Sequence, residues 1–284
     1  YLDRDGDPDL VVATEWGPIK VFRNTDWSFA EITAKAGLAD TTGWWSAVAV
    51  ADVNQDGRVD LLAGNVGLNT KYQASPRHPA VLLAGDVDGS GGFELLEARY
   101  DGDELYPVRG LSKLSYSFRQ LRRQYRTFAR YADATITDLF SAEKLGAAMR
   151  LEANEFRSGV WLQQADSTFE FSPLPVDAQF APIHGFIHHD LDGDQIADLL
   201  IIGNDFSPEP STGRFDGSLG RLFRGDGTGH FTPLSPAASG ILTPGDTRGL
   251  ALLPTDETTS LPRIITADSR GPVRLFESNS PPSP

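Results

Sequence analysis

One pattern recurs along this chain and limits what it can fold into: an apolar strand, a loop with acidic residues at alternate positions, then a second apolar strand. The clearest copy has apolar residues 47–51, the loop Asp52 to Asp60, then Leu61-Leu62-Ala63-Gly64. A second has residues 185–189, the loop Asp190 to Asp198, then Leu199-Leu200-Ile201-Ile202-Gly203. A third opens the chain, with Asp3, Asp5, Asp7 and Asp9 ahead of Leu10-Val11-Val12-Ala13, and a degenerate fourth runs from Asp86 to Glu94 between residues 81–85 and Leu95-Leu96. Each unit has a second half, clearest where Arg221-Leu222-Phe223-Arg224 meets Gly225-Asp226-Gly227-Thr228-Gly229-His230-Phe231, a strand, a glycine-rich hairpin turn and a strand restarting at an aromatic. Weaker copies are Val21-Phe22-Arg23-Asn24 before Phe29 and Val160-Trp161-Leu162-Gln163 before Phe169.

Four short strands per repeated unit predict an all-β fold of β-propeller blades, each of four antiparallel strands. About five units are expected within 1–277, at 1–38, 44–78, 79–175, 183–238 and 247–277, followed by a disordered tail, 278–284. A right-handed β-solenoid is the main alternative, although its repeats would be shorter and more even. One stretch departs from the strand pattern: Leu114, Phe118, Leu121, Tyr125 and Phe128 have helical spacing, so short helices are expected as an insertion over about 111–148. Its polar side carries Lys113, Arg119, Arg122, Arg123, Arg126 and Arg130, read either as a solvated rim or as a docking surface for an acidic partner or polysaccharide.

Composition agrees with a turn-rich β chain. Gly and Pro together make 47 of 284 residues, above the ordinary share of roughly 12%. The absence of Cys excludes disulfides and thiolate-held zinc. A formal charge of −14 argues against a general nucleic-acid-binding surface, which needs a basic face. No apolar run is long enough for a transmembrane helix. Because the chain starts inside a repeat, an upstream part of the same protein, with any export signal, is expected.

The loop spacing, D-x-[DN]-x-D-G-x-x-D-L, suits a hard cation that takes six to eight oxygens, such as Ca²⁺. Positions 1, 3, 5 and 9 offer side chains and position 7 a carbonyl. The expected ligands are Asp52, Asn54, Asp56 and Asp60 with the Arg58 carbonyl, and Asp190, Asp192, Asp194 and Asp198 with the Ile196 carbonyl. Two weaker loops follow. The first has Asp3, Asp5 and Asp9 with the Asp7 carbonyl and Tyr1 at position 1; the other has Asp86, Asp88, Ser90 and Glu94 with the Gly92 carbonyl. Acidic groups this close repel unless a cation holds them. Four divalent ions would move the charge from −14 to −6. An EF-hand is excluded, since that loop needs a Glu at position 12 and flanking helices.

These loops, with the stretch Leu222-Phe223-Arg224-Gly225-Asp226-Gly227-Thr228-Gly229-His230-Phe231, resemble FG-GAP/VCBS repeats, the calcium-loop blades of integrin α-subunit propellers. The resemblance runs over nearly the whole chain and extends to bacterial secreted or surface proteins often associated with ASPIC/UnbV modules, although no such module is apparent here. It implies a calcium-binding propeller outside the cytoplasm, at the bacterial cell surface or secreted, serving as an adhesion or ligand-binding scaffold. Such propellers have seven blades, so five units imply an open arc or a ring closed with further chain. The departures are Tyr1, Ser90, Glu94, the fifth unit without an Asp loop, and Gln195 where the pattern has Gly.

Other candidates are weaker. His184, His188 and His189 precede the Asp190 loop; strand alternation puts His184 and His188 on one face, as packing or as a metal or acid–base pair. Trp44-Trp45 suits packing between blades or stacking on a sugar ring. The 15–18 and 205–210 segments are turn-rich loops, and no P-loop, G-x-S-x-G or H-E-x-x-H motif is present. The expected function is a calcium-stabilised binding scaffold for a carbohydrate or protein ligand. The alternative is an enzyme or enzyme subunit acting on glycans, which would gather carboxylates outside the Asp loops in one pocket.

Overall fold

The computed structural model describes residues 2–3, 5–210, 212–253 and 262–277; the expected tail at 278–284 and Tyr1 lie outside the described residues. The chain divides into two units, one formed by 1–40, 44–70 and 156–284, the other by 41–43 and 71–155. Both are built mainly of small antiparallel sheets.

In the first unit, Leu10–Val12, Lys20–Thr25 and Ser28–Glu31 form a three-stranded sheet. Ile183–His189, Asp198–Gly203, Arg221–Gly225 and Phe231–Pro233 form a four-stranded one in chain order. Thr247–Leu253, Arg263–Asp268 and Val273–Phe276 form another of three. Ile183–His189, the first strand of its sheet, lies beside Ala47–Ala51 and Thr247–Leu253, the first strands of theirs. The leucine- and isoleucine-rich second strands, Asp60–Gly64 and Asp198–Gly203, are buried along their whole length. They are covered on both faces, as their nearly continuous apolar runs require.

One expected unit boundary is wrong. The strand Asp60–Gly64, paired with Ala47–Ala51 on one edge, takes on its other edge not anything in 66–78 but Gly159–Gln163, which in turn pairs with Phe169–Pro173. Units 44–78 and 79–175 are therefore not two consecutive sheets; one sheet is split by a long insertion. The physical reason is that a fully buried central strand needs hydrogen-bonded partners on both edges. Residues 65–78, rich in Asn, Gly and Pro, supply no strand, so the edge is filled by the next apolar strand that can reach it.

The inserted segment makes the second unit. Its sheet has the order Glu104–Pro107, Glu94–Asp101, Ala80–Gly85, Met149–Ala153. Between its outer strands come five short helices: Leu111–Ser117, Leu121–Gln124, Phe128–Ala132, Ile136–Leu139 and Ala142–Ala147. Val81, Leu83 and Leu96 of the sheet share a core with Leu111, Leu114, Phe118 and Leu121 of the helices. The expected apolar stripe holds only as far as Tyr125. Phe118 and Tyr125 end their helices in non-helical conformations, which resets the helical phase, and Phe128 emerges 70% exposed.

Candidate metal centre

The acidic loops share one backbone course. Positions 4 and 6 are left-handed in the Asp52 loop (Gln55, φ 59°; Gly57, φ 79°), the Asp190 loop (Gly193, φ 88°; Gln195, φ 71°) and the Asp86 loop (Gly89, φ 78°; Gly91, φ 84°). In the first loop Gly6, at position 6, has φ 95°. Gln195 thus adopts the conformation that glycine reaches without strain. These turns point successive backbone N–H groups at the loop's own carboxylates. Gly57 N–H donates to Asp52 at 2.8 Å and Arg58 N–H to Asp56 at 2.8 Å. Gly193 and Gln195 N–H donate to the two oxygens of Asp190 at 2.7 and 2.9 Å, and Ile196 N–H to Asp194 at 2.9 Å. Asp7 N–H donates to Asp5 at 2.9 Å.

Position 9 has a task that the sequence pattern does not reveal. Asp60 accepts from Val53 N–H at 3.0 Å through one oxygen and from Gln163 N–H at 2.8 Å through the other. Asp198 does the same with Leu191 and Gly225, both at 3.2 Å. Asp9 does so with Leu2 at 2.6 Å and Asn24 at 3.0 Å. In each case one bond closes the loop and the other ties it to the end of the strand that pairs with the one leaving the loop. Asn24, Gln163 and Gly225 are thereby equivalent positions, which independently identifies Gly159–Gln163 as the third strand of the split sheet. Asp60 and Asp198 are buried. Burial pushes both carboxyls above the ordinary aspartate value, and the neighbouring loop carboxylates add to the shift.

Positions 1, 3 and 5 are open to a cation. Asp190, Asp192 and Asp194 each offer a carboxylate oxygen, all within 4.8 Å of one another. Oxygens this close can be shared by one Ca²⁺ ion, which takes its ligands at about 2.4 Å. Asp198 is not in the group, because its oxygens face the backbone. In the Asp52 loop, Asn54 Nδ2 donates to Asp56 at 2.9 Å. The second group of three carboxylates among the described residues is Asp86, Asp88 and Glu94, in the loop expected to be among the weaker ones. Glu94 is one methylene longer than Asp and folds back over Gly92, where an added Cβ would lie 2.2 Å from its Oε1. Asp86 Oδ1 and Glu94 Oε2 are buried without a hydrogen-bond donor, which leaves two acceptor oxygens that a cation could take up. Asp88 is pushed up by burial, but hydrogen bonds from Ser90 and Gln120 outweigh this and leave its pKa lowered.

Every loop also carries a basic side chain. Arg23 pairs with Asp3 at 2.7 Å, Arg224 with Asp192 at 2.8 Å, Lys144 with Asp86 at 3.7 Å, and Arg58 with Asp56. Arg23 and Arg224 lie at matching places, one residue before Asn24 and Gly225, and take the same loop position, 3.

The remaining candidates have packing and hydrogen-bond partners. A bulge between Ile183 and Gly185 takes His184 out of the strand alternation. Its Nδ1 lies 3.2 Å from Arg248, and burial, then Arg248, lowers its pKa to about 4. His188 packs edge-on to Phe231. Trp45 is buried against Trp161 and Phe171, and Trp44 packs on Trp16 and Phe156. No helix among the described residues is long and apolar enough to cross a membrane.

No curated protein matches the chain at a significant level. The family model of the FG-GAP-like repeat matches residues 2–63, a stretch holding the Asp3–Asp9 loop, the first sheet, the Asp52–Asp60 loop and the strands on either side of that second loop. Two acidic loops of common geometry fall inside that match, and the chain carries the FG-GAP-like repeat.

Proposed function

We propose that this chain is a calcium-binding propeller scaffold that works outside the cytoplasm, at the bacterial cell surface or secreted, and holds a carbohydrate or protein ligand. The observation that carries it is the recurrence of one loop geometry at the same place in successive sheets, with clustered carboxylates at its tip. First strands that neighbour one another from sheet to sheet support the blade arrangement. Asp190, Asp192 and Asp194, with the Ile196 carbonyl, would hold one ion, and Asp86, Asp88 and Glu94 another. Calcium there would neutralise the tips and fix the loops, a rigidifying role rather than a catalytic one.

The enzyme reading has one observation in its favour. A cavity of about 320 Å³ in the first unit is lined by two carboxylates, Asp246 and Asp268, beside Phe206 and Arg270. Asp246 pairs with Arg248 at 2.5 Å and Asp268 with Arg274 at 2.7 Å. Carboxylates already committed to guanidinium partners suit a structural network better than proton donation. Incubation with a polysaccharide panel in calcium and in chelator decides between them. Retention without new reducing ends supports the scaffold; steady release of reducing ends, lost in Asp246→Asn, overturns it.

A further inference from the structure

The second unit holds a cavity of about 500 Å³ between its sheet and its helices. Phe128, 70% exposed, stands on its lining with Tyr131, whose hydroxyl donates to the Arg109 carbonyl at 2.6 Å. Arg99, exposed on the strand Glu94–Asp101, supplies a guanidinium, and Asp101 and Asp133 supply carboxylates. An exposed aromatic face beside guanidinium and carboxylate groups suits a sugar ring: the face stacks on C–H groups and the carboxylates accept from hydroxyls.

The surrounding charge narrows the class of sugar. Residues 105–132 contain seven Arg and Lys and no Asp or Glu, leaving −21 on the rest of the chain. Arg126 and Arg130, two residues either side of Phe128, are exposed, as are Arg119, Arg122 and Arg123. Arg122 lies over the ring of Tyr116, itself 75% exposed. This is the only strongly basic stretch on an acidic protein, and guanidinium groups pair bidentately with carboxylates and sulfates.

We propose that the helical insertion is the ligand site, and that it binds an acidic polysaccharide, one ring against Phe128 and the flanking acid groups on the exposed arginines. The inference rests on the scaffold reading above and gives that scaffold a ligand class and a place. Single-stranded nucleic acid also pairs with arginine and stacks on aromatics; the charge of −14 on the whole chain argues against it, and the test below includes it.

The test uses the whole chain against alginate, polygalacturonate, neutral dextran and a poly-dT oligonucleotide, by affinity electrophoresis and biolayer interferometry. We expect retention on at least one uronate polymer, none on dextran, and a binding strength that falls as salt rises. Phe128→Ala, at an exposed ring, should weaken binding at least tenfold; Arg122→Glu/Arg123→Glu should abolish it, with thermal midpoints unchanged in both. Uronate binding that neither variant alters overturns this site while the scaffold reading stands. Tighter binding of poly-dT through the same arginines overturns the ligand class. Binding to neutral dextran alone overturns both site and class, and binding to no glycan or protein in a broad array fails the scaffold reading itself.

Discussion

The position-9 aspartates should matter more to the bare protein than the tip aspartates do. Asp60 is fully buried and accepts from two backbone N–H groups, Val53 at 3.0 Å and Gln163 at 2.8 Å. Asp60→Ala removes both acceptors and leaves two donors buried. A hydrogen bond to a charged group contributes about 1.5–3 kcal/mol, so the gross loss is about 3–6 kcal/mol. Relief from burying a carboxylate among Asp52 and Asp56 offsets part of it, leaving about 2–4 kcal/mol. At this size each kcal/mol moves the thermal midpoint by about 2–4 °C. Measured in chelator, Asp60→Ala should therefore lower the midpoint by roughly 4–16 °C, and Asp194→Ala, at an exposed tip, by far less. If position 9 serves only as a metal ligand, Asp60→Ala in chelator will be neutral or stabilising, because it removes like-charge repulsion. That result would refute the reasoning.

Three other outcomes follow from the geometry. Gln195→Gly relieves a side chain held at φ 71° and should stabilise by about 0.5–1 kcal/mol in urea melts; a loss would show that the Gln195 side chain makes contacts that matter more. Arg224→Gln removes the cation 2.8 Å from Asp192 and should tighten calcium binding at the Asp190 loop several-fold by calorimetry, whereas weaker binding would mean that the arginine organises the site. His184 has a folded pKa of about 4, below its unfolded value near 6.5. The folded state therefore binds fewer protons in that window: its contribution is fully present above pH 6.5 and is lost as pH falls toward 4, by about 2–3 kcal/mol. Wild type should lose that much more than His184→Gln between pH 7 and 4, and parallel profiles would contradict the assignment.

Much of this was legible in the sequence because the repeat is local. Strand, Asp loop and strand are contiguous around Asp52 and Asp190, so alternation and spacing place them without tertiary information. The second-half strand at 160–163 was also visible as a strand. Its partner was not, since pairing with Asp60–Gly64 spans an insertion of its own sheet and helices, and nearest-in-sequence grouping assigns it wrongly. The division of labour among the aspartates was hidden for a similar reason: Asp60 faces Gln163, a partner more than a hundred residues away. Glu94 looked like a loss of pattern. Its extra methylene instead lets it join Asp86 and Asp88, something only side-chain reach could disclose.

Whether the acidic loops bind calcium is measured directly by a thermal melt across a calcium series from chelator to millimolar. With the dissociation constants of about 10⁻⁴–10⁻³ M usual for extracellular modules, each occupied loop contributes about 0.4–1.4 kcal/mol at 1 mM. The midpoint should climb by a few degrees as calcium rises, by less in Asp194→Ala and in Glu94→Gln, and by least in the double variant. A midpoint that stays the same from chelator to millimolar calcium would contradict it.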